Sequence, residues 1–87
     1  MLAINNVGPG TYPFVLDGGN YQASASSSNW NSGDAELQYV DELGQDQHVT
    51  TWTSDHYGEL TALPIGSYQI VVTSSTGVSV ALARIPA

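Results

Sequence analysis

Short runs of residues that alternate apolar with polar, each closed by a cluster of Gly, Pro, Asp or Asn, constrain this chain more than any other feature. Period-two alternation puts every second side chain on one face of an extended strand. Turn signals at intervals of about 8–12 residues are the pattern of an all-β sandwich or barrel. Residues 11–16 carry Tyr12, Phe14 and Leu16 on one face, and Asp17-Gly18-Gly19 supplies the positive φ angles of a tight hairpin. Tyr21, Ala23 and Ala25 continue the pattern on the return strand. The polar stretch 26–33, Ser-Ser-Ser-Asn-Trp-Asn-Ser-Gly, reads as a loop by composition.

Alternation resumes with Ala35, Leu37 and Tyr39, followed by a turn over 41–46. The β-branched run 49–53 holds Trp52 and predicts a strand. A turn over 54–58 precedes a short strand over 59–63, and Pro64-Ile65-Gly66 turns the chain again. Residues 67–73 turn Tyr68, Ile70 and Val72 inward, and a link over 74–77 leads to a strand over 78–85 with Val78, Val80 and Leu82 on one side. Residues 2–7 add an edge strand, closed by Gly8-Pro9-Gly10.

The sum is seven or eight short strands, an antiparallel β-sandwich or a jelly-roll-like barrel in one domain spanning 1–87. The expected core is Tyr12, Phe14, Leu16, Tyr21, Leu37, Tyr39, Leu60, Tyr68, Ile70, Val72, Val80 and Leu82. The strands over 2–7 and 78–85 are the expected free edges, open to pairing with a neighbour.

Charge narrows the functions open to such a fold. Arg84 is the sole cation of the Lys/Arg type against eight carboxylates, for a formal net charge of −7. Binding a nucleic-acid backbone takes several Lys or Arg contacts, and anionic membranes repel the same excess. No nucleic-acid or membrane partner is therefore expected. The first residues lack the basic and apolar regions of a signal peptide, and the longest apolar stretch is far short of the roughly 20 residues of a membrane helix. A soluble protein without a secretion signal is expected. Cysteine is absent, so no disulfide staples the chain. A domain this small buries only about 60–65% of its unfolded surface, which leaves self-association as the natural reinforcement.

Catalytic chemistry has little to draw on. Serines, His48 or His56, and Asp55 are the only materials for a nucleophile–base pair, and no nucleophile elbow frames them. The chain is not expected to be an enzyme. Asp41, Glu42 and Asp46 surround one turn, and Asp34 lies close to Glu36, but neither group has the spacing of an EF-hand. His48 and His56 lack zinc-ligand spacing. The acidic turn is read as solvated, the histidines as surface residues, and no cofactor or metal is expected.

The interface candidates are Trp30, Trp52, His56, Tyr57 and Arg84. Trp52 suits core or interface packing. Trp30, on a polar loop, has three readings: stacking on a sugar, anchoring a protein contact, or folding back to cap the sandwich. Tyr57, beside His56 at a turn, has the same choices. Arg84 is expected to pair with a carboxylate within the chain or across a subunit boundary.

Gly10-Thr11-Tyr12-Pro13, Gly18-Gly19-Asn20-Tyr21, Leu37-Gln38-Tyr39, Tyr57-Gly58, the run 63–68 and the closing Ala83-Arg84-Ile85-Pro86 follow one another over nearly the full length. In this order and spacing the chain resembles small tailed-bacteriophage virion proteins that decorate or cement the capsid shell. It departs from them in its acidic excess, and in having Leu43-Gly44-Gln45 where an Asp-Gly hairpin is usual. The resemblance implies a homotrimer or similar cluster on the outer capsid surface, bridging subunits of the major capsid protein, with no catalytic residues. A carbohydrate-binding module on a virion or cell surface, and a tail or fibre component, are the alternatives.

Overall fold

The alternation in sequence is an alternation in burial. Along the strand from Gly66 to Thr73, Tyr68, Ile70 and Val72 are buried, while the residues between them are part-exposed. The same rhythm runs through the other central strands. The computed structural model describes residues 1–85 and contains eight strands among them. They are β1 (Leu2–Val7), β2 (Gly10–Leu16), β3 (Gly19–Asn29), β4 (Asp34–Val40), β5 (Asp46–Trp52), β6 (His56–Leu63), β7 (Gly66–Thr73) and β8 (Thr76–Arg84).

The strands form two four-stranded antiparallel sheets, ordered β1-β8-β3-β6 and β2-β7-β4-β5. Every strand of the first half pairs with its counterpart from the second: β1 with β8, β2 with β7, β3 with β6, β4 with β5. The chain is thus one long hairpin closed at the β4–β5 turn. Rolling it up adds two further contacts, β3 with β8 and β4 with β7. That order is the jelly roll, here as two facing sheets. All links except β4–β5 cross from one sheet to the other.

Ile4, Val78, Val80, Leu82, Tyr21, Ala23, Ala25 and Leu63 face inward from the first sheet, and Leu16, Tyr68, Ile70, Val72, Ala35, Leu37 and Trp52 from the second. Of the expected core, Tyr12, Phe14, Tyr39 and Leu60 are only half-buried against this cluster. Tyr68 sits in register between Phe14 on β2 and Tyr39 on β4. Its ring stacks on Phe14 at 6.0 Å between centroids and tilts against Tyr39 at 5.1 Å. Aromatic rows of this kind add to the stabilisation from burial alone.

Three tyrosines repeat one device. Tyr12 donates its hydroxyl to the Gly8 carbonyl (2.7 Å), Tyr68 to that of Pro64 (2.5 Å) and Tyr21 to that of Asp17, four residues back each time. A glycine two positions before the tyrosine opens each strand, and at Gly66 φ is 149°, which β-carbon-bearing residues rarely adopt. Each Gly-x-Tyr ties down a crossing between the sheets.

Several boundaries differ from expectation. Ser26 to Asn29 are strand, not loop, because β3 continues along β8, with Ser26 opposite Ser79 and Asn29 opposite Thr76. Ser27 and Ser28 both donate their hydroxyls to the Thr76 carbonyl. His56 to Gly58 likewise join β6 through pairing with β3. β8 is no edge: it lies between β1 and β3. The free edges are β1 and β6 of one sheet and β2 and β5 of the other. Pro13 occupies β2, where an edge tolerates its missing N–H.

Burial pushes the Tyr68 phenol from its ordinary 10.0 up to about 12, with Tyr39 and Tyr21 adding to the shift. The folded chain therefore keeps a proton that an unfolded tyrosine releases, and stability falls as pH rises from about 10 to about 12. Tyr68→Phe is expected to lower Tm at neutral pH through loss of its bond to Pro64, a cost of about 1 kcal/mol, and to flatten that alkaline decline. Thermal melts from pH 7 to 12 read both effects.

Candidate interaction surfaces

The jelly roll gathers its crossings at two ends of unlike chemistry. One end holds the β1–β2, β3–β4, β5–β6 and β7–β8 turns, and its side chains are mostly polar. There Trp30 donates its indole N–H to Asp55 Oδ1 at 2.8 Å, and the same oxygen accepts the Ser27 backbone N–H at 3.2 Å. Ser75, fully buried, donates its hydroxyl to the Trp30 carbonyl at 2.7 Å. Asn31 bonds the Ser74 carbonyl. Gly33 is pressed so tightly to the Thr73 carbonyl that a Cβ would stand 1.8 Å from that oxygen. Trp30 packs against the core with part of its ring half-buried, as the capping reading expects, and the rest of the ring stays open to solvent.

Along the open side between β5 and β6, Thr50, Thr51, Trp52, Thr53, Ser54 and His56 line a depression of about 190 Å³. A neighbouring space of about 120 Å³ shares Thr50, Trp52 and His56. The Trp52 side chain is buried and forms the wall, while His56 is exposed and lies across Gly58. Tyr57 projects from β6, 68% exposed. The structure thus brings Trp52 and His56 together, with Trp30 tied to the adjoining turn through Asp55, while Tyr57 lines neither depression and, next to His56 on β6, points to the other face of the strand.

Arg84 stands apart, at the opposite end. It is exposed beside Gly19, and with Met1, Val15, Leu16, Asp17, Tyr21 and Leu82 it borders a depression of about 270 Å³. Among the described residues no carboxylate lies within 4 Å of the Arg84 guanidinium; the one close contact between a basic side chain and a carboxylate there joins His48 Nδ1 to Glu36 Oε2, at 2.7 Å. That pair ends a polar ladder across the outer face of the second sheet, in which Gln69 donates to Gln38 and Gln38 to Glu36.

The acidic turn has a structural occupation. Asp41 Oδ1 accepts the backbone N–H groups of Leu43 and Gln45, and Oδ2 accepts the Gln47 side chain. These bonds favour the charged form and hold the Asp41 carboxyl below its ordinary 3.8. Among the described residues no three His, Asp or Glu side chains gather as a metal-binding group.

One set of exposed residues lies outside the interface candidates drawn from the sequence. Leu2, Val15, Leu43 and Ile65 are all more than half exposed, and all lie at the Arg84 end, at the start of β1, the end of β2, the β4–β5 turn and the β6–β7 turn. Their signal was present: Leu43 and Ile65 are large apolar residues inside turn sequences, and Val15 sits on the face of β2 opposite its buried side chains.

No protein-family model matches the chain, and no curated protein matches it.

Ser75→Ala is expected to destabilise the fold by about 0.5–1.5 kcal/mol, the net worth of one hydrogen bond, because the Trp30 carbonyl keeps the Gly33 backbone N–H. A domain of this size loses roughly 4–8 °C of Tm per kcal/mol. Asp55→Ala is expected to release the indole of Trp30 and move its fluorescence emission to longer wavelength.

Proposed function

We propose that this chain is a structural protein of a tailed-bacteriophage virion, a decoration protein that lies on the outer capsid surface and braces the shell against internal DNA pressure by bridging major capsid subunits. The observation that carries the reading is where the reactive side chains are spent. The Tyr12, Tyr21 and Tyr68 hydroxyls, Ser75, Asp41 and Asp55 are engaged in holding turns, and His48 is paired with Glu36. What the fold offers outward is contact surface. The slab measures 34 × 29 × 16 Å, with broad faces for its mass. Jelly rolls recur in capsid and lectin domains, an analogy of fold that supports the reading without carrying it.

In this reading bridging buries apolar surface, and a free sheet edge pairs with a neighbouring chain. The homotrimer implied by the resemblance would use such edges, with β5 and β6 free of the proline found in β2.

Cryo-electron microscopy of intact particles tests it. Density for this chain at junctions of the outer shell is the expected result. Density in the tail would reassign it as a tail or fibre component, and a particle without it would end the proposal.

One observation favours carbohydrate binding as the second reading: hydroxyls and an imidazole rim the 190 Å³ depression between β5 and β6. A glycan array separates the two. Retention of a glycan by the intact chain and its loss in His56→Ala would favour sugar recognition over shell contact.

A further inference from the structure

Among the described residues, five of the six large side chains with apolar surface that the fold leaves well exposed, Met1, Leu2, Val15, Leu43 and Ile65, lie at the end bearing the β2–β3, β4–β5 and β6–β7 turns. The turns at this end are neighbours in space. Val15 pairs with Ser67 and Leu16 with Gly66, and a Cβ on Gly18 would lie 3.1 Å from the Ile65 nitrogen. The opposite end has its turns latched by hydrogen bonds and shows no such collection among the described residues. An end of this kind is the surface a soluble β-sandwich keeps for a partner.

The surroundings of the patch say what kind of partner. Asp17, Asp41, Glu42 and Asp46, four of the eight carboxylates, belong to its turns or their borders; Arg84 borders the depression on the Asp17 side, and it is not among the residues lining the one beside Ile65. A depression of about 260 Å³ beside Ile65 combines both features: Tyr39, Val40 and Ile65 give it apolar and aromatic walls, and Asp41 and Glu42 give it charge. Asp41 stays ionised below the usual carboxylate range, held by the backbone N–H of Gln45, the Gln47 side chain and the backbone N–H of Leu43. An aliphatic stem ending in a cation, the build of Arg or Lys, matches walls and charge together. A second copy of this chain is a poor occupant, because Arg84 is its sole Lys/Arg cation and each copy carries a formal charge of −7.

We infer that this end is a docking face for a different protein, one whose surface presents apolar side chains framed by Arg or Lys, with one basic side chain seated between Ile65, Tyr39, Asp41 and Glu42. The face follows from the surface of the fold whether or not the chain decorates a shell. Docking there leaves β5 and β6 free and the polar end in solvent.

Backbone amide chemical-shift mapping of the whole chain with the capped tripeptide Leu-Arg-Leu tests the chemistry, with Leu-Gln-Leu and Leu-Glu-Leu as controls. The expected result is saturable shifts at residues 39–43 and 64–67 with the arginine peptide, much weaker with the glutamine peptide and none with the glutamate peptide. The double variant Glu42→Gln, Ile65→Ser is expected to bind roughly tenfold more weakly, about 1.4 kcal/mol, with its Tm unchanged because both side chains are exposed. Shifts spread equally over Asp34, Asp55 and Glu59, or binding undiminished in the double variant, would overturn the inference. So would sedimentation showing self-association that Ile65→Lys abolishes, since the occupant would then be a second copy.

Discussion

The contact between two inward-facing layers of alternating side chains underlies everything else in this protein. Tyr68, Ile70 and Val72 on β7 and Leu37 on β4 meet Val78, Val80 and Leu82 on β8 and Tyr21 on β3. No disulfide reinforces it. Burial of apolar surface is the main favourable term for such a domain, and a short chain has little of it to spare. Each layer must therefore hold its register closely, since a slip of one residue would turn the apolar set of a strand toward water.

Register is held from the crossings. In a jelly roll nearly every link passes between the sheets, so each is a place where the two layers could shift. The Gly-x-Tyr devices at Tyr12, Tyr21 and Tyr68 and the Ser75–Trp30–Asp55 cluster answer this at all six crossings: the tyrosines at three, and the cluster at the other three, where the Trp30 turn is tied to those on either side. Their polar atoms serve the backbone, which leaves the outer surface to small and polar side chains, the β5–β6 depression and the apolar end. The fold and the proposed role thus share one cause. In the proposed role the chain works through the surfaces it presents.

The two ends divide the labour. Latching by hydrogen bonds at one end requires polar turns, and these suit water. The other end closes its β2–β3 and β6–β7 turns through tyrosine hydroxyls bonded to main-chain carbonyls, so its turn side chains are free to be apolar. Ile65 and Val15 show the consequence: neither is needed to hold its turn, and both face outward.

The strand content, the inward set on β7 and β8 and the turn expected over 41–46, which closes one residue earlier because Asp46 opens β5, were legible because alternation and turn chemistry are local. Composition likewise set the charge and the lack of cysteine. What the sequence could not give was anything that depends on pairing. The serine run 26–29 reads as loop by composition and is strand because β8 lies beside it. The strand over 78–85 reads as an edge and is interior because the rolled hairpin sets β3 against its far side. Trp30 packs back onto the sandwich because Asp55 and Ser75, from distant parts of the chain, hold its indole N–H and its carbonyl. That Leu2, Val15, Leu43 and Ile65 share one end of the sandwich was equally hidden, since their separation in sequence is brought to one end only by the roll. Periodicity is a property of each strand alone, whereas edges, caps and patches belong to the arrangement of strands, and that exists only once the long hairpin has folded over itself.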